Sequence, residues 1–231
     1  MTLLSIRMMS RLAPLALCAT TFAAAQQQVA PSAPSPMSSA ERMIFVDRQL
    51  AGIKPPATLR YTFSRTGSLE PPFDDEVSVE LRPSAGGGCC TADGRFLTGE
   101  RTLALPPLED AQSNPLVLFF LEYDVREMQR RTGGQHAHFR RRIRLALANN
   151  AKISDTTVRH ADREWPAKEI RISPYLDDPS RARFERYAGK EYVFVLAPGV
   201  PGGVAQLRSR IAGAEPGAAP RIEETVTLAE K

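Results

Sequence analysis

Along much of the chain, apolar and polar side chains take turns. Leu59, Tyr61 and Phe63 are interleaved with Arg60, Thr62 and Ser64, and Val77, Val79 and Leu81 with Ser78, Glu80 and Arg82. Arg101, Leu103 and Leu105 repeat the pattern in a shorter run. A period of two puts alternate side chains on opposite faces, so these segments predict antiparallel strands with one face on a core and one in water. Residues 152–160 and 167–173 predict a hairpin turning at 161–164. Residues 192–196 are apolar on both faces and predict the most buried strand, and 204–211 a last strand after the turns at Pro198-Gly199 and Pro201-Gly202-Gly203. Proline lacks a backbone donor, so the pairs Pro55-Pro56, Pro71-Pro72 and Pro106-Pro107 mark joints between elements.

The period changes in the middle of the chain. Asn114-Pro115 offers a capping side chain and a proline at a helix start, Leu118, Leu121, Val125 and Met128 follow at steps of three and four, and Gly133-Gly134 supplies a stop. The first part of this helix, 116–121, is apolar on every side and is therefore expected to be enclosed. Residues 139–148 fit a helix or a strand; Arg, Leu and Ala are good helix formers, which favours helix. Asp178-Pro179 opens a further short helix that ends at Gly189. Runs of strands and helices, rather than strict alternation, predict an α+β fold. It is expected as a curved antiparallel sheet of about six to eight strands with two or three helices packed on its concave side.

The two ends read differently. Arg7 and Arg11 precede a short apolar run over 12–22, and Ala23-Ala24-Ala25 then provides small residues for cleavage before Gln26. Residues 1–25 are thus expected to be a signal peptide, and the mature chain to be periplasmic or secreted. Leu17 stands where a lipoprotein signal needs a small residue, so Cys18 is read as part of the apolar run. Residues 26–40, rich in Gln, Pro and Ser, predict a disordered linker; 41–211 a single domain; and 212–231, where Ala, Pro, Gly and charge dominate, a mobile tail. With 231 residues, 42% apolar and 24% charged, the composition excludes a wholly disordered chain or a collagen. No run in the mature chain is long enough to cross a bilayer as a helix. Cleavage removes two arginines and no acid, lowering the formal charge from +4 to +2. A nucleic-acid partner is therefore not expected, there being no aromatic platform among the basic residues either.

Three constellations carry candidate chemistry. Arg126, Arg130, Arg131, Arg140, Arg141, Arg142 and Arg144 crowd one stretch, opposed nearby by Glu122, Asp124 and Glu127. Guanidinium forks suit carboxylate or phosphate partners, against the plainer possibility of a solvated face with local ion pairs. Arg126, Arg130, Arg140 and Arg144, with Leu118 and Phe119, are the candidate ligand-binding residues. Cys89-Cys90 follows Gly86-Gly87-Gly88 and is a candidate redox pair, or else a detail of a flexible loop. His136 and His138 have metal-ligand spacing only if they lie on a strand, and no third ligand stands near, so no metal site is assigned. No nucleophile elbow, zinc-protease signature or phosphate-binding loop is present, and neither a catalytic residue nor a cofactor is assigned.

The segments Asn114-Pro115, Phe120-Leu121-Glu122, Val125-Arg126-Glu127-Met128, Thr132-Gly133-Gly134 and Phe139-Arg140, with Gly189-Lys190-Glu191-Tyr192 and Val200-Pro201-Gly202-Gly203, resemble an uncharacterised family of exported proteobacterial proteins over most of 45–211. No activity is attached to that family, so the resemblance implies export and no site. The order of elements is also similar to periplasmic lipoprotein carriers, whose curved antiparallel sheet holds helices in its hollow. The expected function is non-enzymatic binding of a lipid or other apolar or amphiphilic ligand. The alternatives are an envelope structural or assembly factor with a protein partner, and a metal-dependent hydrolase built on His136 and His138.

Overall fold

The computed structural model describes residues 36–86, 89–215 and 217–230. The expected signal peptide and the linker up to residue 35 lie outside the described residues. Helix α1 (Ser39–Phe45) opens on a capping box: the Ser38 hydroxyl accepts from the Glu41 amide, and the Glu41 carboxylate accepts from the Ser38 amide. Two end donors are thereby satisfied, and ordered structure starts inside what composition marks as linker.

Strands β1 (Ala57–Gly67), β2 (Phe73–Pro83), β3 (Cys90–Phe96), β4 (Leu103–Ala104) and β5 (Leu108–Ala111) follow, then helices α2 (Leu116–Thr132) and α3 (His136–Asn149). The chain continues through β6 (Lys152–His160), β7 (Arg163–Ile172), the short helix α4 (Glu185–Ala188), β8 (Glu191–Leu196), β9 (Val204–Ile211) and β10 (Ile222–Leu228). The sheet order is β4-β3-β2-β1-β10-β9-β8-β7-β6, with β5 pairing β3, and every pairing is antiparallel. The class is α+β on an antiparallel sheet. It has ten strands and four helices among the described residues, more of each than the periodicity predicts. The additions β3, β5 and α1 are short or lack clean alternation.

The expected mobile tail is overturned. Residues 222–228 form β10, which sits between β1 and β9 in the middle of the sheet. Ile222, Val226 and Leu228 are buried and alternate with Glu223, Thr225 and Thr227, a strand period hidden behind the Ala- and Pro-rich stretch before it. The hairpin is also tighter than expected. β6 and β7 join across Ala161 and Asp162 alone, both at positive φ (50° and 58°), as a two-residue turn between twisted strands requires.

Local chemistry sets the helix ends. The Asn114 side-chain oxygen accepts from the Leu116 amide, while its amide nitrogen donates to the Tyr61 hydroxyl at 2.8 Å and to the Gly202 carbonyl at 2.9 Å. One side chain therefore caps α2 and ties it to β1 and to the turn before β9. Gly133, at φ 69°, takes the left-handed conformation that ends α2. Residues 139–148 are helical within α3. The core face of the sheet carries Tyr61, Phe63, Val77, Val79, Phe96, Tyr192, Phe194, Leu207 and Val226, all buried, and β8 is buried on both faces from Tyr192 to Leu196. Cys90, expected in a loosely held loop, is buried at the start of β3, pairs with Pro83 and Ala111, and is joined to Cys89 in a vicinal disulfide.

Candidate functional site

Helix α2 has two faces with opposite chemistry. Toward the sheet it presents Tyr123, Asp124, Glu127 and Arg131 to a polar row that crosses four strands. The pairings Arg65↔Glu224, Glu224↔Ser209 and Ser209↔Tyr192 place one residue from each of β1, β10, β9 and β8 at the same level. The adjacent row, Phe63, Val226, Leu207, Phe194 and Ile170, is wholly apolar.

These polar groups are buried or largely buried, and each has a charged or hydroxyl partner, although Arg131 Nε and Nη1 make no hydrogen bond among the described residues. Lys190 and Asp124, both 0% exposed, form an ion pair. The Asp124 carboxylate also accepts from the Tyr192 hydroxyl at 2.5 Å and the Ser209 hydroxyl at 3.2 Å. Glu224 accepts from Arg65 Nε at 2.9 Å and Arg131 Nη2 at 2.9 Å. Arg131 also donates to Glu127, which takes a further bond from Arg65. Four cations, Arg65, Arg131, Lys190 and, at the exposed edge, Arg130, thus face four anions, Asp124, Glu127, Glu224 and Glu70. Burial pushes the Glu224 carboxyl up, but Lys190, Arg131 and Arg65 outweigh it and hold it down at about 2. Burial and the neighbouring Asp124 charge push the Tyr192 and Tyr175 phenols well above their ordinary range. Such a balanced network fixes α2 in register on the sheet and leaves little freedom for chemistry.

On its other side α2 faces solvent across a groove of about 450 Å³. Leu118, Phe119, Leu121 and Val125 form the α2 wall, Ile143 and Leu147 the α3 wall, Phe45 one end, and Leu105, Pro106 and Leu108 the side toward β4 and β5. The expectation that 116–121 is wholly enclosed fails at one residue: Leu118 is 43% exposed, while Leu116, Val117, Phe119, Phe120 and Leu121 are buried. α2 covers the sheet with its opposite face, which leaves Leu118 to the groove. Phe119 is the floor. It rests on Gly94 so closely that a Cβ there would lie 1.7 Å from the ring.

The groove brings together four of the six candidate residues: Leu118, Phe119, Arg140 and Arg144. Arg140 grips both oxygens of Glu122, at 2.8 to 3.1 Å, and Arg126 donates to the same carboxylate at 3.3 Å. Burial raises Glu122, yet Arg140 and Arg126 hold its carboxyl below the usual range, so it stays charged. Arg144 is exposed on the same rim with no carboxylate partner among the described residues. Arg130 lies elsewhere, bound to Glu70 and Glu127 beside a separate depression lined by Arg65, Phe73 and Tyr123.

The histidines do not converge. Both lie in the first turn of α3, where residues two apart do not face each other. His138 instead bonds Asp178 at 2.7 Å. Among the described residues no group of three or more His, Cys, Asp or Glu side chains is placed to hold a metal ion.

No family model matches the chain, and no curated protein is significantly similar to it. Among solved structures, lipoprotein LppX of Mycobacterium tuberculosis is similar over 76% of this chain and 86% of its own, at 8% sequence identity and a TM-score of 0.31.

Proposed function

We propose that this chain is an exported protein that binds an apolar or amphiphilic small molecule in the groove between α2 and α3. The observation that carries this is Leu118, a large apolar side chain left 43% exposed in the lining of an apolar concavity of about 450 Å³. That volume is in the range of pockets that take one small ligand. Burying such a wall against a hydrocarbon chain is favourable by about 25 cal/mol per Å² of apolar surface removed from water. Cleavage before Gln26 would deliver the chain to an oxidising compartment, where Cys89 and Cys90, adjacent and with their sulfurs in contact, can stay joined. The protein-partner alternative has weaker support: the sheet's outer edge, β6, carries Lys152, Asp155 and Arg159, and charges on an edge strand discourage pairing with another chain.

Native mass spectrometry of gently extracted protein tests both parts. The expected result is a chain beginning at Gln26 with a lipid-like adduct, and saturable binding of a naphthylamine dye by the stripped protein. Leu118→Glu alters an exposed position, should leave folding intact, and should weaken dye binding by about tenfold or more. A stripped wild-type protein that binds no dye overturns the proposal.

A further inference from the structure

We infer that the groove selects a single-chain amphiphile with an anionic head, a carboxylate or phosphate monoester, seated on Arg144 and Arg140. This rests on the groove being a ligand site and names the chemistry of the ligand. The argument starts from the charge at the rim. Arg140 and Arg144 line the groove with one carboxylate, Glu122, to which Arg126 also reaches from outside the lining, so positive charge exceeds negative at the mouth of an apolar interior.

The three arginines are not equivalent. Arg140 and Arg126 share Glu122, which holds the Arg140 guanidinium in a fixed plane beside the groove. Arg144, one helical turn further along α3, has no such partner among the described residues and keeps its donors for an incoming group. A guanidinium fork matches two oxygens of a carboxylate or phosphate, which a hydroxyl or an ammonium cannot supply. Apolar lining adjoins the arginine: Ile143 precedes Arg144 in α3, Leu147 follows it by three residues, and both line the groove together with Leu121 and Val125. A head at Arg144 therefore leaves its own chain beside the apolar lining, of which Leu118 is the exposed member. The size fits one chain better than a multi-chain lipid. A neutral head gains nothing from the rim, and a cationic head is repelled by it.

The test holds the chain constant and changes the head. Dodecanoate, dodecyl phosphate, dodecanol and dodecyltrimethylammonium, each below its aggregation concentration, compete with the naphthylamine dye on the stripped full-length mature protein. Both anions should displace dye at about fivefold lower concentration than dodecanol, a ratio set by two solvent-exposed charge pairs. The ammonium should be weakest. Arg144→Glu should erase the preference for anions over dodecanol, and raising the salt should shrink the preference in the wild type. Dodecanol binding as well as dodecanoate, or an unchanged preference in Arg144→Glu, overturns this inference while the groove itself stands. If none of the four displaces the dye, the groove reading falls with it.

Discussion

Lys190 shows at the level of one residue why the buried polar network demands pairing. Its ammonium is fully enclosed, and Asp124 is the carboxylate against it. Removing one member of such a pair strands a charge in a low-dielectric interior, at a cost of roughly 3–5 kcal/mol. Asp124→Ala should therefore lower the unfolding free energy by about that amount in urea titrations, whereas the double change Asp124→Leu with Lys190→Met should recover most of the loss. A double variant as unstable as the single one would show that Tyr192 and Ser209, not the charge, set the requirement. Neither residue stood out beforehand. Asp124 looked like one more acid among arginines, and Lys190 a charge beside a glycine. Pairing across 66 positions leaves no local trace.

At the scale of elements, the polar row across β1, β10, β9 and β8 was legible in part. Arg65 falls two residues after Phe63 and Ser209 two after Leu207, each on the core-facing register of its strand. A polar residue in an apolar register is the trace that could have located the network. The α2 boundaries were readable because Asn114, Pro115 and Gly133 act locally, while β3 was not, since its burial depends on Phe119 from a distant helix. The row also has a pH signature. The Glu224 carboxyl is held at about 2 in the folded state, below an unfolded value of about 4.3. A depressed carboxylate contributes stability that is present above the unfolded pKa and lost as pH falls toward the folded one. Unfolding free energy should thus drop between about pH 4.5 and 2, by up to about 1.4 kcal/mol per pH unit from this group alone. Denaturation curves at several acidic pH values measure it, and Glu224→Gln should flatten the slope even though it lowers stability at neutral pH.

For the whole molecule, the sheet is two antiparallel meanders, β1 to β5 and β6 to β9, and among the described residues β10 is the strand that joins them. Deleting 212–231 should leave two sheets with raw edges and a network lacking Glu224. The shortened chain should show no cooperative thermal transition and should aggregate, readable by circular dichroism and light scattering. A well-behaved truncated protein would contradict the assignment of β10. The fold class followed from the order of strand and helix runs, and four of the six candidate residues, taken from the arginine cluster and the apolar helix start, lie along one groove. The sheet order did not, because composition describes a segment and not its neighbours. A strand of seven residues was concealed by the stretch that leads to it.

The position of β10 also bears on how the molecule comes into being. β10 must pair with β1, more than 150 residues away along the chain, so joining the two meanders costs the closure entropy of a long loop and should be a slow step of folding.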